Sequence, residues 1–206
     1  MGRPKFSIII PAHNSEAFIE KALTSVIAQS YRDYELIVVC DSCEDRTEDV
    51  ARKYTGLVYT VDYGRDGLTR NYGLDHASGE YVLFMDDDDW YLHEFVLQML
   101  ADRIEDTSPS DIICFGFIFR TRGYCSPWHR LGIWPNVWSK CWRRSFIGDT
   151  RFSDEEMVSD LAFTQAMLSK VTEGDQMDYW SMPLYYYNYM RVGSQTEIAN
   201  RDGNDE

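Results

Sequence analysis

No apolar run in this sequence approaches the ~20 residues that cross a bilayer, which argues against a membrane-spanning helix. The N-terminal stretch MGRPKFSIIIPAHN is interrupted by Pro11 and has neither the apolar core nor the cleavage site of a secretion signal. Phe6 stands where a myristoylation motif wants Ser or Thr. We therefore expect a cytoplasmic protein, with peripheral association at the inner face of a membrane left open. Basic residues are also scarce: 20 Lys and Arg against 34 Asp and Glu give a formal charge of -14, which repels nucleic acid. Cysteines number five, an odd count that points to reduced thiols. Cys40 and Cys43 have CxxC spacing, but no second CxxC completes a zinc site, so core or incidental thiols stand beside a redox pair as the alternative. Flexible linkers and internal repeats are missing too.

What is present is a core. Hydrophobic residues make up 44% of the chain and aromatics 15%, enough for a globular domain. Four apolar runs, FSIII (6–10), ELIVVC (35–40), EYVLFM (80–85) and DIICFGFIF (111–119), are nearly continuous rather than alternating, as in strands covered on both faces of a parallel sheet. Between them, Ile19, Ala22, Leu23, Val26 and Ile27, behind an Asn14 or Ser15 cap, and then Leu92, Phe95, Val96, Met99 and Leu100 follow a helical period. This alternation predicts an α/β fold with a mostly parallel, Rossmann-like sheet flanked by helices, in which ligands sit outside the carboxyl ends of the strands. Polar clusters follow three of the runs, at Pro11–Asn14, Asp41–Asp45 and Asp86–Asp89. After about residue 120 the chain becomes rich in Trp, Gly and Pro, and then helical near 156–170. We read one domain over 1–206: a ligand-binding half over about 5–120, a smaller subdomain over about 121–196 laid on the sheet, and a frayed tail at 197–206. Trp138 and Trp142 are expected in the core, while Trp128 and Trp134 are left open between core and binding platform.

The run FMDDDDW (84–90) concentrates charge. Two unit charges about 5 Å apart repel by roughly 3 kcal/mol at an effective dielectric near 20, so such a run needs a proton, a cation or open water. In an extended chain Asp86 and Asp88 would share a face and Asp87 would point away, a pair suited to Mg²⁺ or Mn²⁺. The alternative is a solvated acidic turn capping a helix that begins near Tyr91. Arg70, at the start of an expected helix, is either a fixed cation for phosphate or a surface arginine. Asp41 is either a hydrogen-bond acceptor for a base or ribose, or loop chemistry, and Ser42 with Asp45 resembles a capping box.

Six segments in order, SIIIPAHN, ELIVVCDSCEDRT, TRNYGLDHASGEYVLFMDDDDW, NVWSKCWRRSF, RFSDEEMVSDLAF and LYYYNYMRVGSQT, resemble the family 2 glycosyltransferases, covering residues 5 to about 196. The resemblance implies a GT-A fold and an inverting single displacement, with a nucleotide-sugar donor, a UDP-sugar above all. It implies a divalent cation, Mn²⁺ or Mg²⁺, and a glycan or lipid-linked acceptor, as in polysaccharide or cell-surface glycan synthesis. Pro11, His13 and Asp41 fall where that family lines base and ribose, and Arg70 on the arginine near the donor. Asp86, Asp87 and Asp88 cover its DxD, with Asp88 and Asp86 as the metal ligands and Asp87 on the donor. Asp160 falls on the catalytic base, and Arg191 with Ser194 on a lid over the diphosphate.

The sequence departs from the family pattern at Cys40, which replaces one of two paired aspartates, at His13, which stands for an aromatic beside the base, and at Ser159, which replaces an acidic neighbour of the base. Two other functions compete. A nucleotidyltransferase also uses acidic metal ligands on an α/β sheet, although PAHNSEAF supplies neither a Gly-rich phosphate loop nor its lysine. A non-catalytic nucleotide-sugar-binding module is the other.

Overall fold

Continuous apolar runs form the middle of one sheet because both of its faces are covered. The computed structural model describes residues 2–106, 110–129, 132–155, 159–172 and 174–189. In chain order the elements are β1 (Phe6–Ala12), α1 (Ile19–Ile27), β2 (Tyr34–Asp41), α2 (Thr47–Ala51), β3 (Leu57–Val61), α3 (Asp66–His76), β4 (Tyr81–Phe84), β5 (Trp90–Tyr91) and α4 (Val96–Asp106). There follow β6 (Ile112–Phe119), β7 (Gly123–Cys125), β8 (Trp128–His129), β9 (Gly132–Ile133), β10 (Lys140–Arg143), α5 (Arg144–Ile147), α6 (Ser159–Ser169) and β11 (Met177–Tyr187). The main sheet runs β3-β2-β1-β4-β10-β6-β11-β5, with β7 on β6 and a separate β8-β9 pair. Strands β3, β2, β1 and β4 are parallel, and β11 is parallel to β6. β10 is antiparallel to both its neighbours.

Alternate residues of β1 show why the runs do not alternate in polarity. Phe6, Ile8 and Ile10 pack with Leu23 and Val26 of α1 and Leu100 of α4 on one face, while Ile9 packs with Leu74 of α3, and Phe163 of α6 lies in the same layer. Each such side chain contributes about 1.5–3 kcal/mol on burial. The helical periods seen in sequence correspond to the buried stripes Ile19, Ala22, Leu23, Val26 of α1 and Val96, Leu97, Leu100, Ala101, Ile104 of α4.

Four expectations change. The C-terminal half is only partly laid over the sheet: α6 packs on one face, but β10 is inserted between β4 and β6, and β11 continues beyond β6. No helix begins near Tyr91; Trp90 and Tyr91 pair with Tyr186 and Tyr185 of β11, and α4 starts only at Val96. Arg70 lies in the second turn of α3 rather than at its start. Neither Asn14 nor Ser15 caps α1 through its side chain; Asn14 adopts φ 47° and its Oδ1 accepts from Glu44 N–H. Trp138 and Trp142 are core residues, as expected. Strand β3, half-exposed in pattern, was not among the expected runs. Arg191, Ser194 and the tail at 197–206 lie outside the described residues.

Gly67, in the first turn of α3, brings that helix against the segment after α5. A methyl there would run into the carbonyl oxygen of Ser153, with Phe152 and Ser159 Cβ atoms each at 3.2 Å. Alanine gains about 1 kcal/mol of helix propensity over glycine, but overlap with a backbone atom costs about 1–3 kcal/mol. Gly67→Ala is therefore expected to lower stability, by up to about 2 kcal/mol on that difference, and a urea midpoint above that of the parent would refute the close approach.

Candidate active site

The carboxyl ends of β1, β2 and β4 open into one cavity of about 660 Å³. Pro11, His13 and Asp41 line one end, Arg70, Asp86, Asp87 and Asp88 the centre, and Asp160, Asn136, Trp134 and Trp138 the other side. All eight residues singled out in sequence thus border a single space.

Arg70 is 5% exposed and organises the centre. Its Nη2 donates to Asp86 Oδ1 at 2.8 Å, and its Nη1 lies 3.7 Å from both Asp66 Oδ2 and Asp160 Oδ1. Burial works against the charge on Arg70, yet the carboxylates of Asp160, Asp86 and Asp66 hold it above the usual arginine value. Its Nε is buried with no hydrogen-bond partner among the described residues, a donor position of the kind a bound anion satisfies. Asp66 was missed in sequence; its i, i+4 spacing to Arg70 on a helix was the available signal.

The acidic run is a turn, not an extended strand end. Asp89 N–H returns to Asp86 C=O at 3.2 Å, so the two-residue alternation does not apply and Asp86, Asp87 and Asp88 all line the cavity. Asp89 was not distinguished from its neighbours in sequence and is wholly buried. Its Oδ2 accepts from the Tyr185 hydroxyl at 2.7 Å and its Oδ1 from Asn188 N–H at 2.7 Å. The same hydroxyl accepts from Asp86 N–H at 3.1 Å, and the Tyr185 ring stacks on Trp138 at 4.7 Å. Asp87 Oδ2 accepts from His13 N–H at 3.2 Å, joining the turn to the loop after β1. Burial, with Asp160 and Asp88 adding to it against the opposing Arg70, pushes Asp86 up to about 7. Burial and Asp88 push Asp87 up to about 7 as well. Among the described residues no three His, Cys, Asp or Glu side chains converge as a preformed metal cluster.

Asp41 is a loop organiser. Its Oδ1 accepts from Ser42 Oγ, Tyr63 N–H and Gly64 N–H, and its Oδ2 from Arg65 N–H and Thr69 Oγ1, at 2.7–3.1 Å. Burial acts to raise its pKa, but these hydrogen bonds hold it below the usual carboxylate value. A carboxylate has about four lone-pair sites, and five internal donors occupy them. Beside it, His13 Nδ1 donates to Asp41 C=O at 2.7 Å, which leaves Nε2 as the acceptor facing Asn14 Nδ2 at 3.1 Å. Asp45 accepts from Thr47 N–H at the start of α2, whereas Ser42, at φ 51°, contacts Asp41 and Asp62 instead. All five cysteines are free thiols.

Asp160, in the first turn of α6, is held at both oxygens: Oδ1 by Arg70 and Oδ2 by Val137 N–H at 3.2 Å. Arg70, the acidic turn and Asp160 thus border one cavity, with Asp66, Asp154 and Glu155 as further carboxylates on its lining.

Residues 7–171 match the family described as Glycosyl transferase family 2. The chain is 34% identical to glycosyltransferase GlyA of Streptococcus pneumoniae over 94% of its length, but spans only 32% of that protein. Among solved structures, TarS of S. aureus in complex with UDP-GlcNAc aligns with a TM-score of 0.80 at 25% identity, covering 94% of this chain and 60% of that one. Glucosyl-3-phosphoglycerate synthase of Mycobacterium tuberculosis, in complex with Mg²⁺ and UDP, shares the fold at 16% identity, with a TM-score of 0.68 over 97% of this chain and 80% of that one. The mostly parallel sheet is thus of the GT-A type expected. Among the described residues no helix is long and apolar enough to cross a membrane.

The Tyr185 hydroxyl serves two partners of the acidic turn. Tyr185→Phe leaves a buried N–H and a buried carboxylate each short of a partner, a loss of about 1–3 kcal/mol. Urea unfolding of the variant checks this, and an unchanged midpoint would mean that the hydroxyl does not hold the turn.

Proposed function

The chain belongs to glycosyl transferase family 2, and from that premise we propose that it moves a sugar from a UDP-sugar to a hydroxyl of a glycan or lipid-linked acceptor, inverting the anomeric centre. The observation that carries this is the buried Arg70, with an unpartnered Nε, set between an acidic turn and Asp160 in one cavity.

The donor diphosphate lies against Arg70 and the 86–88 turn. The base end is bounded by Pro11, His13 and the loop that Asp41 organises. Asp160 takes the proton of the acceptor hydroxyl as that oxygen attacks the anomeric carbon. Its two oxygens are aimed by Arg70 and Val137 N–H, and a carboxylate with about four lone-pair sites still has room for an incoming O–H. As the sugar leaves, charge grows on the diphosphate, and Arg70 stabilises it from a fixed position without reorganising. No acid on the leaving side is required, unlike in glycosidases, where two carboxyl groups flank the bond.

A divalent cation fits the residues present. Burial first, and then neighbouring carboxylates, push Asp86 and Asp87 up to about 7, and a cation beside the turn would offset that repulsion. Asp88 and Asp86 are the hard oxygen donors that would hold Mn²⁺ or Mg²⁺, and the ion, when bound, supplies further charge neutralisation to the departing diphosphate.

Calorimetry of UDP binding with and without Mn²⁺ tests the donor side: Asp88→Asn is expected to weaken the metal-dependent part of the affinity, and equal binding would remove Asp88 from the metal site. On the acceptor side, Asp160→Asn should cut turnover by about 10²–10⁴ with UDP affinity nearly intact. Wild-type turnover in that variant would reject the base assignment.

A further inference from the structure

Lys140 is a buried cation that the reaction above does not use. It lies in β10, is 0% exposed, and its partners are all uncharged oxygens: Trp134 C=O at 2.7 Å, Asn136 C=O at 2.5 Å and Asn136 Oδ1 at 3.4 Å. Burying an ammonium without a carboxylate partner is costly, so its place beneath this turn calls for a reason.

The turn above it supplies one. Residues 134–136 line the cavity on the side of Asp160 and run into the buried Val137, and every carbonyl of the four is tied back by a side chain. Lys140 takes those of Trp134 and Asn136, Thr164 Oγ1 of α6 takes that of Pro135 at 2.6 Å, and Trp142 Nε1 takes that of Val137 at 3.1 Å. Ser139 Oγ also fixes the Asn136 amide at 2.7 Å. The carbonyls point into the protein while Val137 N–H points at Asp160 Oδ2.

We propose that Lys140 is a positioning residue: by holding the carbonyls of Trp134 and Asn136 inward it keeps Val137 N–H on Asp160 and so fixes the orientation of the acceptor-side carboxylate. This rests on the assignment of Asp160 as the base. The clamp is pH-sensitive in one direction. Burial lowers the Lys140 pKa to about 8, so the ammonium is present below that pH and is lost as the pH rises through it. The groups facing it are the Cys114 thiol, its register partner on β6, and Asp160 on α6; the Trp142 ring lies 5.9 Å away.

The test uses the full chain and two variants, Lys140→Met and Thr164→Val, which cut different tethers of the same turn. UDP release from UDP-GlcNAc, with water as the acceptor, is expected to fall about tenfold or more in kcat. UDP affinity measured with Mn²⁺ should stay within about twofold, since neither residue touches the donor side. In ¹⁵N-labelled wild type the Val137 amide resonance should shift with an inflection near pH 8, and that inflection should vanish in Lys140→Met. If Lys140→Met does not fold, Thr164→Val carries the kinetic and amide-shift arms alone. Wild-type turnover with an unmoved Val137 resonance in a folded variant overturns the clamp. Should Asp160→Asn retain wild-type turnover, the base assignment falls, while the Val137 resonance still decides whether Lys140 holds the turn.

Discussion

The structure depends on one buried charge. Arg70 sits at 5% exposure with three carboxylates around it, and those carboxylates come from its own helix, from the turn after β4 and from α6. An arginine so placed is stable only while its acidic partners are held close. In return it keeps two distant stretches of chain, residues 86 and 160, at a fixed separation. The two sides of the cavity, at Asp86 and at Asp160, therefore share a cation. Asp160 forms an ion pair with that shared cation through one oxygen, at 3.7 Å, and accepts through the other from the buried Val137 N–H.

The parts of the fold that were legible in sequence are those with symmetric surroundings. β1, β2, β4 and β6 are covered on both faces, so their runs are continuously apolar and stand out. β10 was not legible: KCWR is short and polar at both ends, and its place between β4 and β6 comes from long-range antiparallel pairing that no local pattern encodes. β11 carries two irregularities, around Pro183, which break its alternation. A subdomain above the sheet was the natural inference from composition, and for β10 and β11 tertiary pairing overrode it.

The candidate site was legible as a set of residues and less so as geometry. Strand ends located the polar clusters, since side chains just beyond a parallel sheet have only the cavity to face. Strand periodicity misjudged Asp87, because it assumes extended backbone and the chain turns at Asp86. Asp41 was legible as a polar residue at the right edge, but four of its five internal donors depend on the path of residues 63–69, which sequence spacing does not reveal. Asp89 looked like its three neighbours and differs from them only through Tyr185 and Asn188, 96 and 99 residues away.

The weaving of β11 into the sheet makes the molecule indivisible at the point where the family-model match stops. A chain ended after Val171 would retain Arg70, the acidic turn and Asp160, every group named in the chemistry. It would still lose the strand that flanks β6 and the hydroxyl that braces Asp86 and Asp89. The bared edge of β6 would then offer unpaired backbone to any neighbouring chain, the usual template for aggregation. The family-model match and the sheet end at different residues here, and the last strand belongs to the second.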